Sequence, residues 1–149
     1  MALAVPAVTL EQARAIALSQ EPGEVIEVDK KSFSSGTVYE FEIRKDDGTV
    51  MEIEVDGGSG AIIERKIDRL GPDAKLPDAL VSQAQAEDAA KKKIVEMKGN
   101  GARPAIKEVK YTLSDGKTAY EIDVKEGFTE YVVFVDATTG TVLSAEKED

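Results

Sequence analysis

The stretch Thr37–Gly60, TVYEFEIRKDDGTVMEIEVDGGSG, decides the fold of this chain. Apolar residues alternate with charged ones on both sides of Asp46-Asp47-Gly48, which is typical of two half-buried strands joined by a tight turn. A three-residue loop at 46–48 pairs Phe41 with Ile53 and gives Gly48 the left-handed position that this class of loop requires. A two-residue loop would pair apolar residues with acidic ones, and burial of one face excludes that register.

The same register predicts that four glutamates lie together on the outer face of the hairpin. Glu42 is placed opposite Glu52, and Glu40 opposite Glu54. Like charges in direct opposition repel each other. Water, a basic partner or a bound calcium ion would each relieve this repulsion, and all three interpretations stay open. An open sheet face does not supply the partly buried carboxyl that carboxylate catalysis needs, so we expect no enzyme and no catalytic residue.

Two polar residues begin predicted helices. Thr9 and Ser82 each stand three residues before a glutamine, Gln12 and Gln85, which is the capping-box spacing. Alanines and other apolar residues then follow at helical spacing. The pattern predicts helices over about 10–19 and 83–98, and Gly99 fits the end of the second one.

The hairpin also occurs twice. Tyr120–Val124 repeats the pattern of Tyr39–Ile43, and Val135–Leu143 repeats that of Val55–Ile63. A segment with two prolines and a glycine separates the copies. The sequence therefore predicts an α+β fold of two tandem repeats, each a helix packed on an antiparallel β-meander, with repeat 1 at 9–67, a linker at 68–80 and repeat 2 at 81–147.

The second copy predicts a different outer face. A two-residue turn at Gly127-Phe128 directs Tyr120 and its alternate neighbours toward the helix and leaves Val132 and Phe134 on the other side. Exposed apolar clusters mark interfaces. Two alternatives remain: the first copy or a loop covers this cluster, or the opposite face is the core and the two sets exchange places.

Asp56 and Asp136 begin matching turns. An aspartate at such a position usually accepts hydrogen bonds from the backbone of its own turn. Calcium ligation is the alternative, although neither turn has the spacing of the twelve-residue calcium loop. We therefore predict a structural role and no metal site.

Composition narrows the classes of partner. The 149 residues carry a formal net charge of −10, which argues against nucleic acid and fits a cationic protein. Without Cys or His, disulfides and most zinc sites are excluded. No apolar run approaches the roughly 20 residues of a membrane span, so we predict no membrane insertion. Met1–Ala7 fits either a natural cytosolic start or the remnant of a removed signal peptide.

The repeated pattern resembles the PepSY domain. The elements that carry the resemblance are the capped helix, Tyr-Glu-Phe-Glu-Ile at 39–43, the Asp-Gly-Thr turn and Val-Asp-x-x-x-Gly-x-Ile-Ile at 55–63. The second copy departs from it, with Glu126-Gly127-Phe128 at the turn. The resemblance implies an extracytoplasmic, non-catalytic domain that restrains peptidases, as in propeptides of thermolysin-type metallopeptidases. The tandem arrangement is also similar to the β-lactamase inhibitor protein, but this chain lacks its cysteines and only the architecture carries over.

These observations lead to a functional expectation. We predict a non-enzymatic extracytoplasmic binding module, a peptidase inhibitor or regulator, that acts through its open sheet faces and needs no cofactor. The expected partner is a protein, either a secreted peptidase or another cationic enzyme. A structural or envelope-associated scaffold is the alternative. The predicted partner-binding residues are Glu40, Glu42, Glu52, Glu54, Val132 and Phe134.

Overall fold

The computed structural model describes residues 7–148, and the chain divides between Lys75 and Leu76 into two compact units. Unit 1 consists of α1 (Leu10–Gln20), β1 (Glu24–Phe33), β2 (Gly36–Arg44), β3 (Val50–Asp56) and β4 (Ile62–Arg69). Unit 2 consists of α2 (Gln83–Lys98), β5 (Ala105–Ser114), β6 (Lys117–Glu126), β7 (Thr129–Asp136) and β8 (Val142–Lys147). Each unit holds a four-stranded antiparallel sheet in chain order. The predicted α+β tandem fold is confirmed, and β4 extends two residues into the segment predicted as the linker.

Both helices begin with the predicted capping box. The Thr9 hydroxyl accepts a hydrogen bond from the Gln12 backbone N–H at 3.1 Å, and the Gln12 side chain accepts one from the Thr9 N–H at 2.8 Å. Ser82 and Gln85 repeat both bonds, at 3.1 and 2.9 Å. These bonds satisfy backbone donors that the first helical turn leaves without partners. The polar spacing in the sequence thus fixes both helix starts.

The predicted strand registers are also confirmed. Phe41 lies opposite Ile53 in unit 1, and the three-residue loop ends at Gly48 with a φ of 87°. In unit 2 the turn has a positive φ of 61° at Gly127 only, not at Phe128, as a type II′ turn requires. On the face toward the helix, apolar residues therefore meet apolar residues across each central strand pair.

The first strand of each sheet is longer than its sequence pattern indicates. Alternation in the sequence indicates strands over only 25–28 and 106–112, whereas β1 spans Glu24–Phe33 and β5 spans Ala105–Ser114. Each pairs on one side only, with β2 and with β6 respectively. An edge strand needs few apolar residues, so its extent follows from hydrogen bonding to the neighbouring strand and not from its own alternation.

The helix of each unit covers the face predicted to be the core. In unit 1 the buried apolar residues of β2 and β3 are Tyr39, Phe41, Ile43, Val50, Met51, Ile53 and Val55. In unit 2 the corresponding residues of β6 and β7 are Ala119, Tyr120, Ile122, Val124, Tyr131, Val133 and Val135. Small alanines, Ala13 and Ala17 in α1 and Ala86 and Ala90 in α2, face these sheets. The alternative with exchanged faces is wrong, because Val132 and Phe134 on the opposite face are only half-buried, whereas Val133 between them is fully buried.

Unit 1 contains a buried ion pair at the end of α1. Arg65 Nη1 lies 2.7 Å from Glu21 Oε1, and only 1% and 3% of these two side chains are exposed. Lys45 Nζ reaches the second Glu21 oxygen at 2.9 Å. In unit 2 the positions corresponding to Glu21 and Arg65 are Ile94 and Ala145. The two units therefore fill the same place between helix and sheet with different chemistry.

The two aspartate turns have the predicted structural role. Asp56 Oδ1 accepts a hydrogen bond from the Gly58 N–H at 2.7 Å, and Asp136 Oδ1 accepts one from the Thr138 N–H at 2.8 Å. The turns close at Gly60 and Gly140, whose φ angles of 77° and 81° favour glycine. Each aspartate thus stabilises the connection to the last strand of its sheet.

Candidate functional site

The sheet face of unit 1 that points away from α1 is dominated by carboxylates. We call it the acidic face. Two rows of facing residues cross it: Glu27, Glu42, Glu52 and Lys66 in one, and Asp29, Glu40, Glu54 and Glu64 in the other. The four glutamates predicted from the hairpin are therefore neighbours at the centre of this face. Sequence reasoning missed the further carboxylates on β1 and β4. Extending the register by one strand on each side of the hairpin would have found them.

A single lysine from the edge strand reaches the centre of the acidic face. Lys31 Nζ lies 2.5 Å from Glu40 Oε2 and 3.6 Å from Glu54 Oε1. The Glu40 and Glu54 side chains are each only 19% exposed, so neighbouring side chains shield them from water. Lys31 offsets part of the negative charge, and its hydrogen bond with Glu40 raises its own pKa.

Crowding shifts the pKa values of the central carboxyls in opposite directions. A hydrogen bond with Glu40, followed by burial, raises the pKa of Glu52 to about 7. Burial, followed by a hydrogen bond with Glu64, raises the pKa of Glu54 to about 7. The pKa of Glu40 is lowered, first by the hydrogen bond from Glu52 and then by Lys31. Neighbouring carboxyls thus share protons, and Glu40 holds its charge while Glu52 and Glu54 accept protons near neutrality.

The corresponding face of unit 2 has a mixed character, and we call it the mixed face. Phe134 lies between Glu121 on β6 and Ser144 on β8, and Val132 lies between Asp123 and Glu146. Both apolar side chains are half-buried. Val132 and Phe134 are therefore adjacent on this face, as the sequence predicts, within a rim of polar residues.

The structure adds one exposed residue that sequence reasoning did not select. Phe128, at the tip of the β6–β7 hairpin, has a relative exposure of 105%. The signal was its second position in a two-residue turn, which directs the side chain away from both strands. A single exposed apolar residue needs no functional explanation by itself.

Two further features concern metal ligands and the helices. Within residues 7–148, no group of three or more Asp or Glu side chains is arranged to hold a metal ion. Over the same residues, neither helix has the length and apolar character that crossing a membrane requires.

Comparison with known proteins gives one family and several solved structures. The family described as "Peptidase propeptide and YPEB domain", PepSY, matches residues 7–66 and 80–146. No curated protein matches the chain. A Clostridium difficile 630 protein described as a lipoprotein is 23% identical with a TM-score of 0.40, and the match covers 95% of this chain and 93% of that one.

Two further solved structures come from Bacillus species. The YpmB protein from Bacillus subtilis is 20% identical with a TM-score of 0.38, and the match covers 93% of this chain and 97% of that one. The C-terminal domain of YpeB from Bacillus megaterium is 15% identical with a TM-score of 0.37. That match covers 95% of this chain and 66% of the other.

Proposed function

The chain belongs to the PepSY family, and we propose that it is a non-catalytic, extracytoplasmic binding module that restrains a peptidase through its open sheet faces. The family name supports this proposal, since it joins PepSY domains to peptidase propeptides. One observation carries it: the helix of each unit packs on one face of its own sheet, and the opposite face presents a distinct chemical surface. Broad sheet faces suit protein partners better than small molecules, which bind in concave pockets.

The acidic face contributes long-range attraction. Glu40, Glu42, Glu52 and Glu54 concentrate negative charge on one surface of a chain that is already acidic overall. Such a surface attracts a basic enzyme and raises the rate constant for association, in a manner that salt weakens. This face therefore sets which partners approach and how fast.

The mixed face contributes the short-range anchor. Phe134 and Val132 are half-buried apolar side chains surrounded by Glu121, Asp123 and Glu146. An apolar centre inside a polar rim is the usual anatomy of a protein interface, and a central aromatic residue often carries much of the binding energy. This face therefore sets how long the complex lasts.

The test compares association and dissociation for variants of the two faces. Purified thermolysin serves as the peptidase probe, and binding and inhibition are measured over a range of salt concentrations. The double variant Glu42→Lys with Glu52→Lys is expected to slow association by about tenfold or more and to flatten its salt dependence. Phe134→Ala is expected mainly to speed dissociation. Phe128→Ala, which removes an exposed aromatic ring outside the mixed face, is the matched control and should bind like wild type.

Thermal melts of all variants accompany the binding measurements. Wild-type-like binding by both face variants would contradict the role of the faces. A melt of Phe134→Ala that resembles a core deletion would also contradict it, because the side chain would then be structural. Location is tested separately by fractionating cells that produce the protein from its full native gene, and recovery in the cytosol alone would rule out the extracytoplasmic part of the proposal.

A further inference from the structure

We propose that the acidic face is proton-responsive, so that it holds a cationic partner at neutral and alkaline pH and releases it in mild acid. This inference deepens the proposed function, and its binding part rests on that function. Its physical basis is the placement of carboxylates in facing positions on four adjacent strands. The protonation behaviour of that cluster belongs to the free chain and is measurable without any peptidase.

The geometry brings the charges closer than a random surface would. Residues directly opposite on antiparallel strands have Cβ atoms about 4.5–5.5 Å apart. Glu40 faces Asp29 on one side and Glu54 on the other, and Glu54 in turn faces Glu64. Glu42 lies in the same way between Glu27 and Glu52. Every carboxylate in the centre of the face therefore has at least one like charge beside it.

The basic residues on this face are few. The groups that line it are, from β1, Glu24, Glu27, Asp29 and Lys31; from β2, Glu40, Glu42 and Arg44; from β3, Glu52 and Glu54; and from β4, Glu64, Lys66, Asp68 and Arg69. Nine carboxylates thus face two lysines and two arginines, and the arginines lie at the end of the face beside Glu24 and Asp68. Lys31 is directed to Glu40 and Glu54, while Lys66 lies opposite Glu52. Protonation is a further way for the centre of the face to reduce its own repulsion.

The centre of the face is where protons are taken up. Hydrogen bonding with Glu40 raises the pKa of Glu52 to about 7, and burial raises the pKa of Glu54 to the same value. Hydrogen bonding with Glu27 raises the pKa of Glu42 as well. Because these groups interact, they titrate as a set and not one by one. Acidification below neutrality therefore removes charge from the middle of the face first.

Loss of this charge changes what the face offers to a partner. An ionised carboxylate accepts charge-assisted hydrogen bonds from ammonium and guanidinium groups. A protonated carboxyl that donates its hydrogen bond to a neighbouring carboxylate no longer accepts charge-assisted hydrogen bonds from a partner. The partner released by acid is therefore one that presents Lys or Arg side chains to β2 and β3.

The mixed face of unit 2 lacks these two groups. Its positions corresponding to Glu52 and Glu54 are Val132 and Phe134, whereas the position of Glu40 is retained as Glu121. Asp88→Asn, at an exposed position of α2, removes one carboxylate that lies on neither sheet face. This substitution is the control for any general effect of lowering the net negative charge.

The first experiment is a carboxyl-detected NMR titration of the free wild-type chain. We expect the Glu52 and Glu54 resonances to have midpoints near pH 7, far above the ordinary glutamate value of about 4.3. Glu40→Gln, which removes the main cause of the Glu52 shift, should move the Glu52 midpoint downward. Midpoints near the ordinary value in the wild type would overturn the proposal, whatever partner the chain has.

The second experiment measures binding of a nine-residue lysine peptide at constant ionic strength, at about pH 8 and about pH 5.5. Wild type and Asp88→Asn are expected to bind about tenfold more weakly at the lower pH. The double variant Glu52→Gln with Glu54→Gln should bind weakly at both. Equal affinity of the wild type at both pH values would overturn the proposal. Because neither experiment uses a peptidase, both can succeed while peptidase restraint fails, and the two hypotheses are thereby distinguished.

Discussion

The two units have one fold and fill the end of the helix–sheet contact in two ways. In unit 1, Glu21 at the end of α1 forms an ion pair with Arg65, which lies on the core side of β4 opposite Ile53. In unit 2, the corresponding positions hold Ile94 and Ala145. The shared fold therefore leaves a space between the end of the helix and the last strand. Either an ion pair or an apolar side chain can fill this space.

The difference follows from the lengths of the two helices. α1 ends at Gln20, just before Glu21, whereas α2 continues to Lys98 and carries Ile94 within the helix. Ile94 is fully buried and lengthens the apolar contact of α2 by one turn beyond Ala90. Glu21, by contrast, closes α1 and connects its end to β4. A buried pair of this kind gains little net stability over an apolar filling, because both charges lose their hydration.

The largest expected effect on stability comes from removing one partner of the ion pair in unit 1. Arg65→Ala leaves the Glu21 carboxylate in a place where 3% of its side chain is exposed. Removing one partner of a buried ion pair lowers the free energy of unfolding by about 3–5 kcal/mol, and Lys45, 2.9 Å from the second Glu21 oxygen, offsets part of that loss. Hydrogen exchange of individual amides is the measurement, because it separates the stability of unit 1 from that of unit 2.

The control variant gives unit 1 the two residue types that unit 2 has at the corresponding positions. Glu21→Ile combined with Arg65→Ala removes both charges, and Lys45, with a side chain that is 20% exposed, can turn to water. This double variant should be more stable than Arg65→Ala alone, since no buried charge is left unpaired. If the single substitution changes the stability of unit 1 by less than about 1 kcal/mol, the ion pair is not buried as described.

The apolar filling of unit 2 predicts the next effect. Ile94→Ala removes a fully buried side chain and leaves a cavity beside the sheet. The expected loss is about 2–5 kcal/mol in the free energy of unfolding of unit 2. The same hydrogen-exchange measurement should show unit 1 unchanged. Destabilisation spread equally over both units would mean that they do not unfold as separate units.

Most of the fold was accessible from the sequence because its signals are local. Alternation of apolar and charged residues on both sides of a short turn fixes which residues face each other, as Phe41 and Ile53 do. The capping boxes at Thr9 and Ser82 are contained in four residues each. Such signals need no knowledge of distant parts of the chain.

The ion pair was not predicted because its partners are 44 positions apart and each is ambiguous alone. Glu21 follows a helix, where acidic residues are usually exposed. Arg65, however, has the same parity as Ile67 in β4, and this alternation places it on the core side. A buried arginine needs a negatively charged partner. When the two repeats are aligned, Glu21 corresponds to Ile94, which is buried, so Glu21 is the candidate for that partner. Comparison of the two copies was therefore the available signal.

The candidate sites were predictable in position but not in behaviour. Register placed Glu40, Glu42, Glu52 and Glu54 on one face. The protonation of that face depends on further residues, such as Glu64, and on how much water reaches each carboxyl. These properties depend on all four strands of the assembled sheet, and the sequence of one hairpin does not show them.

Helix capping is expected to have a smaller effect and to be equal in both units. Thr9→Ala and Ser82→Ala each remove the hydroxyl that accepts from a first-turn N–H, at 3.1 Å in both cases. Each substitution should lower the stability of its own unit by about 1 kcal/mol. Thr9→Ser and Ser82→Thr keep the acceptor and serve as controls. A clearly unequal loss would show that the two helices depend on their caps to different degrees.

The last expected effect is a pH dependence of stability in unit 1 that unit 2 does not share. The folded pKa values of Glu52 and Glu54 are about 7, above the ordinary value of about 4.3 for an unfolded chain. Between these values the folded state binds more protons than the unfolded state. The contribution to stability is therefore greatest below about pH 4.3 and is lost as the pH rises through about 7.

Glu40 and Asp56 act in the opposite sense, and this separates the two contributions by pH. The pKa of Glu40 is lowered by its hydrogen bonds with Glu52 and Lys31, and that of Asp56 by the N–H of Gly58. Stability from these groups is present above the ordinary pKa and is lost in stronger acid. Between about pH 5 and 8 the raised groups alone should determine the slope.

Amide hydrogen exchange, corrected for the intrinsic effect of pH, measures this slope for each unit. We expect the stability of unit 1 to fall relative to unit 2 between about pH 5 and 8, because Glu52 and Glu54 release their protons in the folded state over this range. The double variant Glu52→Gln with Glu54→Gln should abolish the difference. A stability of unit 1 that stays constant or rises over this range would show that Glu52 and Glu54 are already ionised at pH 5. The acidic face would then differ from the mixed face in charge alone, and not in its response to protons.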